Sequence, residues 1–406
     1  MTNTPLRPAD LLALADLPRP ESSPPPERLF SIWEITRWIL PMAPEHLRRV
    51  LAARPDLPQG AAGAEGGTRW FTADEVAALR RHFATGPRGG RFRAPARDRA
   101  PVVTLARPAG RGGGSTALAH LAVAAGLAGW RVLVIDGDPA GGLTAMLGAA
   151  TRGGGVAALL ARAAGTHLRA ANARRLDLGE PPLPMDEAMA RLAAEETAAL
   201  LSASRWPGVT LLPAGPDLML AEMRLAGWRM AQRGWQPWRA LAEALRAPDL
   251  AGQHDLILCD PGRGLGALAL AQLLSADLLL APLLPGEAPA AVLAPLARAA
   301  LLAEAEAGMT ARALGQPTAV FGWAGLALLP VRQGTGAGFA AKPLPPDALP
   351  GLPEIPGLGP EAATLYDLDY RSLGRVDYAP LRDACEAAWA GLAAQIAGLP
   401  AEGDPL

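Results

Sequence analysis

The chain has 406 residues, of which 50% are hydrophobic and 19% are charged, and its formal net charge is −1. This length is enough for two or three domains with a sizeable buried core, and the near-neutral charge excludes a protein that binds polyanions through its overall charge. Two distant cysteines, Cys259 and Cys385, and five scattered histidines exclude a disulfide framework and argue against a metal site built from these residues.

The location expected from the sequence is the cytoplasm, with no membrane partner. The N-terminus lacks a basic segment followed by an apolar one, so no secretory signal is indicated. The apolar stretches within residues 101–150 and 265–305 are interrupted by glycine, proline or charge, which is typical of buried elements rather than membrane spans.

Residues 1–84 divide into two segments. Residues 1–29 contain "PRPESSPPPE" and are expected to form a flexible N-terminal segment. Residues 30–84 predict a compact unit in which "SIWEITRWIL" has helical apolar spacing and a second helix begins at Pro44. A glycine-rich hairpin ending near Trp70 should follow. A third helix should begin after Thr72, which forms a capping box with Glu75.

Positive charge is concentrated in the first quarter of the chain. Residues 1–100 hold 15 arginines and 11 acidic residues, a net charge of +4, and residues 69–99 hold eight arginines against three acidic residues. A local basic surface fits nucleic acid or another anion. The alternative is a solvated face followed by a basic linker, and residues 85–100 are predicted to be such a flexible basic linker.

From residue 101 the pattern changes to alternating strands and helices. Strands are predicted at "VVTLA", "WRVLVIDGD", residues 209–215, 254–260 and 276–283, and "FGWAGLALLP" (residues 321–330), with helical segments between them. Their nearly continuous apolar character is typical of buried parallel strands. We therefore predict a doubly wound, mostly parallel α/β sheet over residues 101–400, with a helical insertion at about residues 150–205.

A glycine-rich loop follows the first of these strands. Backbone N–H groups of such a loop can surround an anion, and the N-terminus of the next helix adds a favourable dipole. A hydroxyl at the helix start can cap the helix or bind Mg²⁺. The alternative is a plain strand-to-helix turn. The candidate phosphate-binding residues are Gly110, Arg111, Gly112, Gly113, Gly114, Ser115 and Thr116.

Acidic residues end two other strands. Asp136 and Asp138 follow "RVLVI", and Asp260 follows "LILC". Because ligands of doubly wound sheets bind at the carboxyl ends of the strands, these carboxylates and the loop should converge. Asp260 and Ser115 are the candidate Mg²⁺ ligands, and Asp136, Asp138 and Asp260 are the candidate catalytic residues. The alternative is that these acids cap helices and turns.

In this order the motifs resemble the ParA/MinD family of partition ATPases. "RVLVIDGDPAGGLTAMLG" is similar to the family's second motif, and "HDLILCDPGRGLGALALAQLLSADLLLAPLLP" is similar to its third. The likeness covers about 300 residues. It implies a P-loop NTPase-like fold, ATP and Mg²⁺ as cofactors and a homodimer. It also implies DNA and a ParB-like or other adaptor protein as partners, and a nucleoid-associated location.

Residues 30–84 resemble the MerR-like winged helix-turn-helix domain of plasmid-type ParA proteins. A second helix carrying Arg48 and Arg49 can lie in a major groove, and Arg69 on the hairpin can contact phosphate. The alternative is a three-helix module that binds another protein.

The loop departs from the family pattern in its charge. Aligned with the family motif, Gly114 stands where the P-loop lysine belongs, Ala109 stands where the second signature lysine belongs, and Arg111 stands at a glycine position. Losing one buried charge-assisted contact costs roughly 1.5–3 kcal/mol. Arg107, Arg111 and Arg263 are the arginines that can compensate.

Two functions follow from these observations. The first is a ParA-like partition or positioning protein with a DNA-binding N-terminal domain and a weakened or lost ATPase. The alternative is a non-enzymatic winged-helix regulator that uses a pseudo-ATPase domain for dimerisation or partner binding. The missing lysines favour the alternative, whereas Asp136, Asp138 and Asp260 favour a retained Mg²⁺ or switch role.

Overall fold

The structure is a computed structural model. The described residues are 27–63, 67–87, 89–107, 113–149, 154–232, 234–315, 321–331, 348–356, 358 and 363–400. The predicted N-terminal segment at residues 1–29 therefore lies outside the described residues up to residue 26. Helices and strands are numbered below in chain order.

The N-terminal unit, from Leu29 to Ala84, combines a small antiparallel sheet with three helices. The elements are β1 (Leu29–Ser31), α1 (Ile32–Glu34, continued by a π-helical turn at Ile35–Ile39), α2 (Pro44–Ala53), β2 (Ala61–Ala62), β3 (Arg69–Thr72) and α3 (Ala73–Ala84). The strands pair in the order β1-β3-β2. The predicted hairpin is present as β2 and β3.

Local capping explains where these helices begin. Thr72 accepts a hydrogen bond from the Glu75 backbone, and the Glu75 side chain accepts one from the Thr72 backbone, as the sequence predicts. Ser31 and Glu34 form a second capping box at the start of α1. Pro44 begins α2, where its missing N–H costs nothing.

Several described residues of the segment at 85–100, which is predicted to be a flexible basic linker, contact the rest of the molecule. Phe92 is buried. Arg97 donates hydrogen bonds to the carbonyls of Ile396 and Leu399, and Arg99 pairs with both carboxylate oxygens of Asp277 at 2.7 Å. These partners lie far away in the sequence, and the assignment of the segment as a linker stays a prediction.

The α/β domain contains a seven-stranded sheet. The strands are β4 (Val102–Leu105), β5 (Val132–Asp136), β6 (Ser202–Ala203), β7 (Val209–Leu212), β8 (Leu256–Asp260), β9 (Leu278–Leu283) and β10 (Gly325–Pro330). Their order in the sheet is β10-β9-β4-β8-β5-β7-β6. All neighbouring strands are parallel except β6, which runs antiparallel to β7 at one edge. The predicted doubly wound fold is thus confirmed.

Helices cover this sheet and also build the insertion. The helices are α4 (Gly114–Leu127), α5 (Gly142–Met146), α6 (Gly155–Asp177), α7 (Glu187–Ala193), α8 (Thr197–Leu200), α9 (Asp217–Ala231), α10 (Pro237–Arg246), α11 (Pro248–Ala251), α12 (Ala267–Leu274), α13 (Pro289–Ala313), α14 (Tyr370–Leu373) and α15 (Arg375–Ala397). The described part of the segment at residues 150–205 is largely helical, as its composition suggests. Among the described residues, no helix combines the length and apolar character needed to cross a membrane.

The N-terminal unit and the α/β domain share one hydrophobic core. A single buried cluster contains Phe30 and Leu79 from the unit and Leu118, Trp130 and Trp389 from the α/β domain. Burial of such side chains contributes roughly 1.5–3 kcal/mol each, so the two parts are held by packing rather than by the chain connection alone.

Aromatic and arginine side chains extend this contact along α14 and α15. Trp70 stacks on Tyr370, with ring centroids 6.1 Å apart, and Arg371 lies 4.2 Å above the Trp70 ring. Trp38 donates its indole N–H to Asp383 at 2.7 Å, and Arg37 pairs with the same carboxylate. The N-terminal unit is therefore fixed to the C-terminal part of the chain.

Candidate functional site

Ser115 and Asp260 meet where α4 begins and β8 ends. The Ser115 hydroxyl donates a hydrogen bond of 2.5 Å to Oδ2 of Asp260, and the backbone N–H of Gly262 donates to Oδ1 at 3.0 Å. Asp260 is fully buried. The sequence placed both residues at the carboxyl edge of the sheet, and the structure brings them into direct contact.

Arg107 brings a positive charge to the same point. It follows β4, and 8% of its surface is exposed. Its Nη2 lies 3.4 Å from the Ser115 hydroxyl and 3.9 Å from Oδ1 of Asp260. Of the three compensating arginines considered from the sequence, Arg107 is thus at the site, Arg263 is exposed, and Arg111 lies outside the described residues.

Asp136 lies beside Asp260 because β5 and β8 are paired in register at these two residues. Its carboxylate accepts hydrogen bonds of 2.7 Å from both the backbone and the hydroxyl of Thr144, and one of 3.1 Å from the backbone of Asp138. Burial raises the pKa of Asp136 to about 6, although the Thr144 hydrogen bonds oppose this shift. Asp136 thus holds the start of α5 against the sheet edge.

Asp138 has a local structural contact. Its Oδ1 accepts a hydrogen bond of 3.0 Å from the backbone of Ala140, closing the turn that leads to α5. It also packs against Gly262, whose φ of 77° favours glycine and where a Cβ would come 3.1 Å from the Asp138 backbone. Asp136 and Asp138 therefore both accept hydrogen bonds that stabilise the turn after β5, and their catalytic role stays a prediction.

The remaining candidates from the glycine-rich loop divide into two groups. Gly110, Arg111 and Gly112 lie outside the described residues. Gly113 has a φ of 84° and precedes α4, so a glycine is required there. The Thr116 hydroxyl faces the sulfur of Met146 at 3.8 Å, so it points to α5 rather than to Asp260.

A cavity of about 230 Å³ adjoins the start of α4. Gly113 and Thr116 form one side, and Val331, Leu352 and Ile355 contribute apolar surface on the other. Small-molecule sites are typically apolar clefts with a few polar groups, although usually of at least about 300 Å³. The cavity therefore offers space for part of a ligand next to Thr116, and Ser115 and Asp260 do not line it.

The chemistry of Ser115 and Asp260 fits Mg²⁺. The ion prefers oxygen ligands, keeps several waters and uses one or two protein oxygens together with phosphates. A hydroxyl and a carboxylate within hydrogen-bond distance are such a pair. Among the described residues, no group of three or more His, Cys, Asp and Glu side chains is arranged to hold a metal ion.

The predicted DNA-binding arginines lie on the N-terminal unit. Arg48 and Arg49 are exposed on α2, where Arg48 pairs with Glu45 at 3.3 Å and Arg49 contacts His46. Arg69 donates hydrogen bonds to the backbone and side-chain oxygens of Gln59, which braces the base of the hairpin.

The basic surface suggested by residues 69–99 is smaller than expected. Arg80 is buried and donates hydrogen bonds to the carbonyls of Phe92 and Ile39. Arg97 and Arg99 are engaged with the α/β domain, as described above. Three of the eight arginines in this segment therefore serve packing and hydrogen bonding rather than a surface.

His120 and Thr144 are site-supporting residues that the sequence reasoning missed. His120, on α4, donates from Nδ1 to the Thr116 carbonyl at 2.8 Å and accepts at Nε2 from the backbone of Leu365 at 2.9 Å. These two partners define a neutral tautomer, and burial lowers the pKa of His120 to about 4. Thr144 could have been suspected because it follows the acidic turn at the start of a short helix.

The fold is that of a P-loop NTPase-like α/β protein. No family model matches the chain. A solved structure named "Partition Protein" is 15% identical, covers 96% of this chain and 95% of its own, and superposes with a TM-score of 0.52. The chain therefore has the fold of a partition protein, and the predicted resemblance to the ParA/MinD family is confirmed at the level of fold.

Other structural matches are more limited. The apo form of McdA from "Cyanthece" is 17% identical, covers 72% of this chain and 99% of its own, and has a TM-score of 0.43. MinD "complexed with Mg-ADP" from Pyrococcus horikoshii OT3 is 18% identical, covers 73% of this chain and 96% of its own, and has a TM-score of 0.41.

One curated protein also matches over part of the chain. "Putative replication protein A" from Rhizobium rhizogenes is 30% identical over 113 residues, which is 27% of this chain and 28% of that protein. The matched part spans little more than a quarter of the relative's length. The activity of this chain is therefore not inferred from that relative.

Proposed function

We propose that this protein is a ParA-like partition or positioning protein. In this proposal the N-terminal unit is a winged helix-turn-helix that binds DNA, and the α/β domain forms a homodimer with a weakened or lost ATPase. A ParB-like or other adaptor would be its protein partner. The observation that supports this most is the fold match over 96% of the chain, which includes the N-terminal unit.

The surface of α2 supports the DNA-binding part. Arg48 and Arg49 are adjacent, exposed and carried by the second helix of the unit, the position that enters the major groove in helix-turn-helix proteins. Their partners, Glu45 and His46, lie on the same helix and are also exposed, so phosphate can replace them. Arg69 would add a backbone contact only by giving up its hydrogen bonds to Gln59.

The site geometry supports a domain that responds to nucleotide and hydrolyses ATP slowly. Ser115 and Asp260 retain an oxygen pair suited to Mg²⁺. When bound, Mg²⁺ and ATP would supply the charge and the phosphoryl group for hydrolysis, with Ser115 and Asp260 holding the ion. Without a lysine at position 114, stabilisation of charge in the transition state would fall, which lowers the rate by on the order of 10²–10³.

DNA binding is tested by titrating a fluorescent duplex at two salt concentrations. Substituting Arg48→Ala/Arg49→Ala should weaken binding and reduce the salt slope by about two, because each phosphate contact contributes about 0.9 to the slope. Arg298→Ala/Arg312→Ala is the matched control, since both residues are exposed on α13 of the α/β domain. Equal affinity and slope in the two double variants would contradict the proposed interface.

A second candidate is a non-enzymatic DNA-binding regulator with a pseudo-ATPase domain. The absence of a lysine side chain at position 114 favours it, because such a lysine is the residue that would contact the phosphates. Calorimetric titration with Mg·ATP of the wild type and Asp260→Ala separates the candidates. Binding that depends on Asp260 supports the first candidate, and no binding in either protein supports the second.

A further inference from the structure

Arg107 and Gly114 are sterically linked. A Cβ placed on Gly114 would lie 2.9 Å from Cζ, Nε and Nη1 of Arg107. Carbon atoms of real side chains essentially never come this close, so a side chain at position 114 requires the guanidinium to move. Glycine at the start of α4 is therefore what allows Arg107 to occupy its observed position.

The same position carries the lysine in the phosphate loop that this chain resembles. In such loops the lysine reaches the terminal phosphates of the nucleotide as a point charge. Here the side chain at position 114 is absent, and the guanidinium that fills the adjoining space comes from the end of β4 instead. A cation is thus retained at the start of α4, while its origin in the chain has changed.

The surroundings of Arg107 place its charge at the groups that would hold the metal. Its Nη2 is 3.4 Å from the Ser115 hydroxyl and 3.9 Å from the Asp260 carboxylate. Only 8% of its surface is exposed, and charge-assisted contacts are stronger when little solvent surrounds them. Arginine also has a planar fork that can bind two phosphate oxygens at once.

We propose that Arg107 is the phosphate-binding cation of this domain and replaces the lysine missing at position 114. The ligand class is a nucleoside triphosphate with Mg²⁺, recognised through its terminal phosphates. This inference rests on the nucleotide-responsive form of the proposed function and is independent of DNA binding. It makes Arg107 and position 114 a coupled pair in which either residue can supply the cation, but not both together.

The test is a double-mutant cycle read by calorimetric titration with Mg·ATP. Arg107→Ala should weaken binding about tenfold or more, because it removes a charge-assisted contact. Gly114→Lys should not strengthen binding although it adds a lysine, because this side chain and the Arg107 guanidinium compete for the same space. The double variant Arg107→Ala/Gly114→Lys should recover binding to within about threefold of wild type, since coupled neighbours are not additive.

Two further measurements keep the result interpretable. Thermal unfolding without ligand shows whether each variant folds, and Arg107→Lys, which keeps the charge, should bind better than Arg107→Ala even if Gly114→Lys does not fold. Arg107→Ala that binds Mg·ATP as tightly as wild type, or more tightly, would overturn the proposal.

The outcomes also separate this inference from the proposed function. Absence of Mg·ATP binding in wild type and all variants would overturn the role of Arg107 but leave DNA binding through Arg48 and Arg49 untouched. The opposite outcome is also possible. If the Mg·ATP double-mutant cycle gives the expected coupling but Arg48→Ala/Arg49→Ala binds DNA like the control variant, the role of Arg107 is supported and the DNA-binding function is overturned.

Discussion

The contact between the N-terminal unit and α15 differs in composition from the edge of the sheet that carries Ser115 and Asp260. The first is built from large side chains, including Trp38, Trp70 and Tyr366, with arginines against the aromatic rings. The second is built from glycines, short polar side chains and one arginine, Arg107. Bulk and buried area hold the first region together, whereas individual hydrogen bonds hold the second.

This difference has an energetic consequence. Removing a large buried group leaves a cavity or an unpaired charge, and removing a hydroxyl leaves at most one donor or acceptor unsatisfied. Substitutions in the first region should therefore affect folding most. Those at the sheet edge should affect ligand binding more than stability.

The largest effect is expected for Arg382→Ala. Arg382 is almost fully buried, lies 4.0 Å above the Tyr366 ring and pairs with Glu386 at 2.8 Å. Removing one partner of a buried ion pair costs about 3–5 kcal/mol. Arg239→Ala is the matched control. Arg239 also pairs with a glutamate four residues later, but both side chains are 71% exposed, and such a pair is worth at most about 1 kcal/mol. Both variants are compared by denaturant unfolding. Equal losses in the free energy of unfolding would contradict the stabilising role of the buried side chains against α15.

A smaller effect is expected from pH through His120, which connects α4 to residue 365. Because the pKa of His120 is about 4 in the fold and 6.5 when unperturbed, the unfolded chain binds a proton first as pH falls below about 6.5. Stability at pH 5 should therefore be about 2 kcal/mol lower than at pH 7.5 from this residue alone. Denaturant curves of wild type and His120→Gln at both pH values check this, since the variant should lack that part of the loss. Equal pH dependence in both proteins would exclude His120 as its source.

Ser115→Ala should cost about 1 kcal/mol of stability, because Asp260 loses a hydrogen bond from the hydroxyl. The adjacent Thr116→Ala is the control, since its hydroxyl makes only a 3.8 Å contact with sulfur. Thermal unfolding of the two variants compares them directly. A larger loss for Thr116→Ala would mean that the Ser115–Asp260 contact contributes little.

The smallest change in stability is expected for Gly114→Ala. Alanine favours a helix over glycine by about 1 kcal/mol, and displacing the end of the Arg107 side chain opposes this gain. The net free energy of unfolding should change by less than about 0.5 kcal/mol. Mg·ATP binding, measured on the same sample, should still weaken. A clear gain in stability with unchanged Mg·ATP binding would show that displacing the Arg107 side chain affects neither property adversely, which contradicts its proposed role.

The sequence predicted the sheet because its strands are nearly continuous apolar runs, and it predicted α3 from the Thr72–Glu75 capping box. It also predicted that Ser115 and Asp260 would share one edge of the sheet. It could not distinguish Arg107 from Arg263, because that choice depends on how a strand end faces a helix start. For the same reason it could not predict the contacts of Arg97 and Arg99, whose partners lie about 180 or more positions away.

The domain boundaries and the roles of Arg48, Arg49 and Arg69 remain predictions, because no ligand or partner defines them. The hydrogen-bond partners of the three acidic residues could not be predicted from their positions in the sequence. Asp136 and Asp260 are the last residues of their strands, and Asp138 follows Asp136 by two positions. Their hydrogen-bond partners, however, separate a residue that meets Ser115 from two that shape the turn after β5.

The packing of the N-terminal unit against α15 affects which spacing of DNA half-sites a dimer could bind. If residues 85–100 were a loose tether, two copies of α2 could reach half-sites over a range of separations. With the unit packed through Trp38, Trp70 and the common core, the separation of the two helices is set by the protein itself. In the proposed dimer the distance between the two α2 helices would be fixed. The dimer should therefore bind two DNA half-sites only when their centre-to-centre spacing, counted in helical turns of the DNA, matches that distance.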